Sequence, residues 1–374
     1  MSLLLPSCRL SLPAFFPDGT HAVVRGVDAG DLASVHTAGV EMNAFHLQAR
    51  PGARSIQTMG GLHAFSGWHG PILTDSGGFQ LYSLLQENSS LGVIRKDHIR
   101  YRTSAEQEYQ QLSPEKSIQT QFQLGSDIMM CLDYCTHADE PLEKQEEAVA
   151  YTLRWAQTCR DTYMRIWKGS GEPGDGLPYD AATPKEQARP LLFAVIQGGN
   201  DKALRKACAE SLAAMGFDGF GFGGWPLDEQ GLMVDILRYV AELVPDPAVV
   251  YAMGVGRPEE IVLCTRMGYR LFDCVIPTRE ARHQRLYVWK ENPAQADLDT
   301  AFYRFHYILD DVHQRDTRPV DVHCDCPCCS RYSRAYLRHL FKVGDQLGQR
   351  LATLHNLRFY SRLMERLQED ACGT

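Results

Sequence analysis

Short apolar runs recur along the chain and stop on Gly, Asp, Gln or Thr: "GPILTD", "SDIMMCLD", "LLFAVIQGG", "FDGFGFGG", "VVYAMGVG" and "YRLFDCVIPT". Each has the length of a buried strand. Between them lie stretches of helical periodicity, such as 140–164 and 201–215. Strands alternating with amphipathic helices predict βαβ units and a parallel sheet. Polar residues recur at the C-terminal end of nearly every run, where the loops of a (β/α)8 barrel build active sites. Six such runs favour a TIM barrel over a doubly wound sheet. A Rossmann reading would need G-x-G-x-x-G after the first strand, and "GVGRPEE" at 254–260 supplies only its first half, late in the chain.

The pattern breaks at 169–190, "GSGEPGDGLPYDAATPKEQARP", where four Gly and four Pro leave almost no apolar periodicity. This predicts a solvated, mobile loop. The catalytic barrel is expected over 1–314, and a smaller unit with the terminal helices over 315–374, packed on the barrel.

Composition narrows the class. With 374 residues, 44% hydrophobic and 22% charged, the chain reads as a soluble globular enzyme. A net charge of −8 argues against a protein that coats nucleic acid wholesale, but says nothing of local patches. The start is apolar but interrupted by Pro6 and Pro13, so it does not read as a signal peptide. No run approaches the length of a membrane span. Eight cysteines are scattered, mostly in apolar surroundings, as in a reducing compartment. A cytoplasmic protein is expected.

The other four cysteines fall within six residues, in "CDCPCC". Cys324, Cys326 and Cys329 form C-x-C-x-x-C, and His355 follows Cys329 by twenty-six residues. Three thiolates on a tight turn and an imidazole from a downstream helix can close a tetrahedron around Zn2+. Such a closed site leaves no position for substrate, so the zinc would be structural, one per chain. A redox dithiol is the alternative, and a disulfide framework suits the compartment poorly. Cys328 is left over. Around the cluster, Arg315 to Arg362 holds nine Lys or Arg against four Asp, with Tyr332 and Tyr336 interleaved. Such a surface can bind a phosphate backbone or simply be a solvated helix face.

Three apolar runs end in carboxylates: Asp75 in "ILTDSGGFQ", Asp133 in "MMCLDYCT" and Asp273 in "LFDCVIPTR". A lone Asp there is often a helix N-cap. Three of them, with Gln197 in "AVIQGG" and the Gly223-Gly224 pair, suggest a polar barrel mouth. Carboxylates flanking a sugar C1′ can do nucleophilic and acid–base work at a glycosidic bond.

Together "TDSGGFQ", "SPEKSIQTQFQLGSDI", "IQGG", "GFDGFGFGG", "MGVGRPEEI", "FDCVIPTR" and "CDCPCC…SRAYLRHL…HN" resemble the bacterial-type tRNA-guanine transglycosylases, from about residue 10 to about residue 365. The resemblance implies a (β/α)8 barrel with a C-terminal zinc subdomain, a homodimer, and exchange of a guanine in the tRNA anticodon for a 7-deazaguanine. By position, Asp273 matches the nucleophile and Asp75 the general acid/base. Asp133, Gln197 and the Gly224 backbone match the readers of the base edge, and Phe79 and Met253 the residues that sandwich its faces. Arg257, Arg279 and Arg282 match contacts to the RNA around the target. Cys324, Cys326, Cys329 and His355 match the zinc ligands.

The chain departs from the family pattern at Tyr134, at "RHQ" 282–284 and at Trp225-Pro226-Leu227. These changes bear on which deazaguanine enters. The aminomethyl base preQ1 is expected over the larger queuine, because Trp225 and Leu227 would fill the extra volume, although an uncharged Tyr134 gives the aminomethyl cation no partner. A queuine-salvaging enzyme, a relative acting on DNA and a non-catalytic RNA-binding subunit are the alternatives. Retention of both Asp75 and Asp273 counts against the last.

Overall fold

The computed structural model describes residues 1–169, 189–228 and 231–372. Most of the loop expected at 169–190 lies outside them. Eight parallel strands form one sheet: β1 (Ala14–Pro17), β2 (Val40–Met42), β3 (Ile72–Thr74), β4 (Ile128–Met130), β5 (Leu191–Ile196), β6 (Gly219–Phe222), β7 (Val249–Ala252) and β8 (Leu271–Cys274). They follow one another in sequence order, and β8 pairs with β1 with Asp273 opposite Phe16. The circle closes between β1 and β2, where Asp18 bridges Glu41 and the Gly19 N–H donates to the Glu41 carbonyl at 2.7 Å. This is the expected barrel.

Residues in register share a face, and successive residues alternate. Ala14, Phe16, Leu73, Ile128, Met130, Phe193, Val195, Val249, Tyr251 and Leu271 accordingly fill the lumen. The opposite faces bury against the surrounding helices. Two of these are the expected amphipathic segments, Leu142–Lys168 and Lys202–Met215. The second starts where Asp201 accepts from the Ala203 and Leu204 N–H groups, and stops at Gly216 in the left-handed region.

The six apolar runs all form barrel strands. The two they did not reveal are β1 and β2, which are short and carry Pro17 and Glu41. An antiparallel three-stranded sheet (Gly92–Ile94, Ile99–Tyr101, Gln110–Leu112) is inserted between β3 and β4. After β8 the chain forms the helix Ile276–Arg282, then an antiparallel pair, Arg285–Trp289 with Tyr303–Tyr307. The helices Pro327–Arg331, Arg334–Lys342 and Gln346–Cys372 follow. They share the barrel's packing: Leu337, Leu351 and Leu354 lie in one cluster with Leu32, Leu47 and Ile56. Among the described residues no helix is long and apolar enough to cross a membrane.

Candidate active site

The strand ends bring the predicted carboxylates to one rim of the barrel. Asp273 lies two residues past Leu271 and Asp75 two past Leu73, so both face inward. Neither caps the helix that follows it: the helices beginning at Gly78 and Ile276 have no side-chain cap. Asp273 Oδ1 instead accepts from the Tyr251 hydroxyl at 2.7 Å and from the Gly254 N–H at 2.9 Å. Asp75 Oδ2 accepts from Asn43 Nδ2 at 2.6 Å and Gln80 Nε2 at 2.8 Å, and Oδ1 from the Ala44 N–H at 3.0 Å. Tyr251 and Gln80 lie within "VVYAMGVG" and "TDSGGFQ" but, like Asn43, are assigned no role by the sequence, because each contact crosses strands or loops.

These bonds favour the ionised forms, but burial outweighs them. Asp75 is pushed up to about 7, chiefly by burial, with a further push from the Asp273 charge. Asp273 is raised as well, for the same leading reason. Both carboxyls are therefore easier to protonate than an ordinary Asp, a tuning suited to acid–base chemistry.

Across the rim, Gln197 Nε2 donates to Asp133 Oδ2 at 2.7 Å. Burial pushes Asp133 up to about 6, offset by that amide. The Gln197 Oε1 atom is buried without a partner. An orphaned acceptor beside a carboxylate suits a ligand edge that presents several N–H groups, as guanine does. The slot is tight: a Cβ on Gly223 would sit 2.6 Å from the Gln197 amide, and Gly224 has φ +86.

Phe79 lies in the first turn of the helix Gly78–Glu87, after β3, and Met253 in the turn after β7, and these two strands are opposite one another in the eight-strand circle. Phe79 is 46% exposed, and its ring centroid lies 5.1 Å from that of Trp225. Trp225 also packs on Tyr82 and His137, at 5.8 and 5.3 Å. It joins the aromatic wall at Phe79. The Leu227 side chain lies outside the described residues. Tyr134 does not border the base slot as expected. Its buried ring stacks with Trp155 on the helix Leu142–Lys168, under the Lys144 ammonium at 4.9 Å. A change of charge at that position acts on the outer layer of the barrel.

Arg279 and Arg282 lie on the helix after β8. Burial, and then the charge of Arg25, lower Arg282 below its ordinary value, and one of its terminal nitrogens is buried without a partner. Arg257 stands apart, at 3.8 Å from Glu260. The basic excess around the cysteine cluster is largely neutralised within the fold. Arg318 and Arg334 pair with Asp316, Arg338 with Asp311, Arg350 with Asp31, Arg358 with Asp325, and Arg362 with Glu365. The solvated-face alternative describes most of this surface.

The Cys324, Cys326 and Cys329 sulfurs and one His355 nitrogen lie within 4.8 Å of one another, a set that could hold a metal ion. His355 Nδ1 is 3.2 Å from Cys329 Sγ, and its Nε2 lies 2.6 Å from the Tyr287 carbonyl. A proton on Nε2 directed at a carbonyl leaves Nδ1 free to ligate, as metal-bound histidines require. Cys328 is outside the set, buried in the adjoining apolar cluster.

A parallel (β/α)8 barrel with buried acids and an orphaned amide oxygen at its rim has the layout of a barrel enzyme's active site. Similarity makes the class specific. Residues 2–370 match the family described as queuine tRNA-ribosyltransferase. The chain is 38% identical over 358 residues to the queuine tRNA-ribosyltransferase of Actinobacillus pleuropneumoniae serotype 3, covering 96% of this chain and 84% of that one. It is 36% identical to that of a Psychrobacter species, over 96% and 86% of the two chains. The Novosphingobium aromaticivorans enzyme is 38% identical over 95% and 86%. The chain belongs to the queuine tRNA-ribosyltransferase family.

Proposed function

We propose that the chain is a tRNA-guanine transglycosylase, a pentosyltransferase that exchanges guanine at the anticodon wobble position for a 7-deazaguanine, with preQ1 favoured over queuine. The observation that carries this reading is the approach of Asp75 and Asp273 on one side of the mouth, with the Asp133–Gln197 pair on the other. Both donors to Asp273 bind Oδ1, so Oδ2 is the oxygen to attack C1′ of the target ribose. The C1′–N bond breaks as the ester bond forms, and Asp75 gives its proton to the leaving guanine. The incoming base then loses its N–H proton to Asp75, attacks C1′ and releases Asp273. Two inversions restore the original anomer. Asp133 and the Gln197 oxygen accept from the base edge with the Gly224 backbone, and Phe79 and Met253 cover its faces, replacing the stacking lost on extrusion from RNA. Arg257, Arg279 and Arg282 hold the flanking RNA.

The remaining parts follow the same reading. The thiolates of Cys324, Cys326 and Cys329 with His355 would hold one structural Zn2+ per chain, fixing the unit from 315 onward against the barrel of 1–314. None of the eleven described cysteines is in a disulfide, which supports a cytoplasmic protein. The homodimer rests on the family resemblance. Filling of the wall at Phe79 by Trp225 supports preQ1. The test is exchange of radiolabelled guanine into unmodified tRNA, chased separately with preQ1 and queuine. Failure of guanine to enter any tRNA would refute the activity.

A further inference from the structure

Two acids on the rim have no part in this chemistry. Asp18 follows β1 and Glu41 lies in β2, and their bridge closes the barrel. Glu41 is in register with Leu73, and Asp18 lies two residues past Phe16, so both side chains point toward the lumen. They stand beside the nucleophile, since β1 is the strand paired with β8. Asp18 is pinned by Thr20, whose N–H donates to Oδ1 at 3.0 Å and whose hydroxyl donates to the same oxygen. What bears on Glu41 is burial and then the charges of Asp75, Asp273 and Asp18, with no hydrogen-bond donor to its carboxyl among the described residues.

The reaction geometry says what reaches these acids. The base readers follow β4, β5 and β6, so with C1′ at Asp273 the base points toward them and the sugar lies over β8, β1 and β2. Phosphates are disfavoured there, because the carboxylates of Glu41, Asp75, Asp273 and Asp18 converge, although the Asp18 charge also reaches Arg282 and His46. An uncharged, hydroxyl-bearing face fits. Within an RNA chain the 3′ and 5′ oxygens are esterified, which leaves the 2′-hydroxyl as the sugar's one free hydroxyl. Displacement in line also requires Asp273 to approach the face opposite the base, and in a β-ribonucleoside that face carries the 2′-hydroxyl.

Resting on the transglycosylase reading, we infer that Glu41, with Asp18 beside it, hydrogen-bonds the 2′-hydroxyl of the target nucleotide and makes this enzyme select ribose over 2′-deoxyribose. Desolvation, and then the surrounding acids, raise Glu41 well above its ordinary value. In its neutral form a carboxyl can both donate to and accept from a hydroxyl. A substrate lacking that hydroxyl leaves the buried acid unpaired, the condition under which sites reject analogues most strongly.

The experiment compares guanine exchange in two anticodon stem-loops that differ only by a 2′-deoxy target nucleotide. Wild type should favour ribose on the order of 100-fold in kcat/KM, at roughly tenfold per unpaired group. Glu41→Leu and Asp18→Asn should each reduce that ratio to about tenfold or less, mainly by losing rate on the ribose substrate. Binding of the two stem-loops to Asp273→Asn protein, with and without Glu41→Leu, reads the same preference without turnover. Equal use of both stem-loops by wild type, or an unchanged ratio in both variants, overturns the inference while leaving the transglycosylase intact. Absence of exchange on every stem-loop overturns both.

Discussion

The Tyr251 hydroxyl donates to Asp273 Oδ1 across neighbouring barrel strands at 2.7 Å. With the Gly254 N–H on the same oxygen, it fixes the carboxylate, and Oδ2 is the oxygen left for the proposed attack. Asp273→Asn should abolish both base exchange and the covalent RNA adduct seen on a denaturing gel, while tRNA binding survives. Tyr251→Phe should still form the adduct. It loses one hydrogen bond to a charged group, about 1.5–3 kcal/mol, so kcat should fall by about 10- to 100-fold. An adduct on the Asn variant would place the nucleophile elsewhere.

The proposed mechanism requires Asp273 and Asp133 ionised and Asp75 protonated. Burial raises all three, Asp133 to about 6 and Asp75 to about 7. The profile of kcat/KM should therefore climb to about pH 6, where Asp133 ionises, and decline above about pH 7 as Asp75 loses its proton. Stability follows the same sign. A carboxyl raised in the folded state binds protons more tightly there than when unfolded. Its contribution is full below the ordinary Asp range and is lost as pH rises through the raised value. Asp75→Asn should thus raise Tm relative to wild type at pH 8, by on the order of 2 °C, and less at pH 5. A flat activity profile from pH 5 to 9 would remove Asp75 from the acid role.

Purified protein should carry about one zinc per chain by elemental analysis. Cys329→Ala should lose it and lower Tm sharply, since one missing thiolate opens a closed tetrahedron. Cys328→Ala should retain the metal and cost only about 1 kcal/mol, as a small buried side chain. Equal metal loss from the two variants would show that Cys328 is a ligand.

What the sequence disclosed follows from how local each signal is. β3 to β8 were legible because each is an apolar run ended by a polar residue. β1 and β2 were not, because Pro17 and Glu41 interrupt runs of only three or four residues. Asp18 and Glu41 went unnoticed for the same reason, though "FFPDG" and "VEMN" show acids at the edge of apolar runs. The metal set was readable because three ligands share six residues. The neutralisation of the basic C-terminal stretch was not, because acids such as Asp31, which meets Arg350 at 2.6 Å, come from the far end of the chain. Tyr134 was misplaced beside the base slot because neighbours in sequence on a strand end point to opposite sides.

On the proposed reading, Trp225 sets which base the slot admits. Its ring occupies the wall formed by Phe79, Tyr82 and His137, so the room a substituent on the deazaguanine would need beside Phe79 is taken by indole. preQ1 carries only an aminomethyl group, whose cation can lie against an aromatic face. Queuine adds a cyclopentenediol, which must displace the indole or clash, and overpacking of this kind costs about 1–3 kcal/mol. Steady-state incorporation under one set of conditions should therefore favour preQ1 by about 10- to 100-fold. Trp225→Gly should narrow that ratio by about tenfold or more through better queuine use. It should also weaken preQ1 use several-fold, because Phe79 loses an aromatic partner worth about 0.5–1.5 kcal/mol. Efficient queuine use with poor preQ1 use by wild type would reverse the preference, and Trp225→Gly should then leave the ratio unchanged.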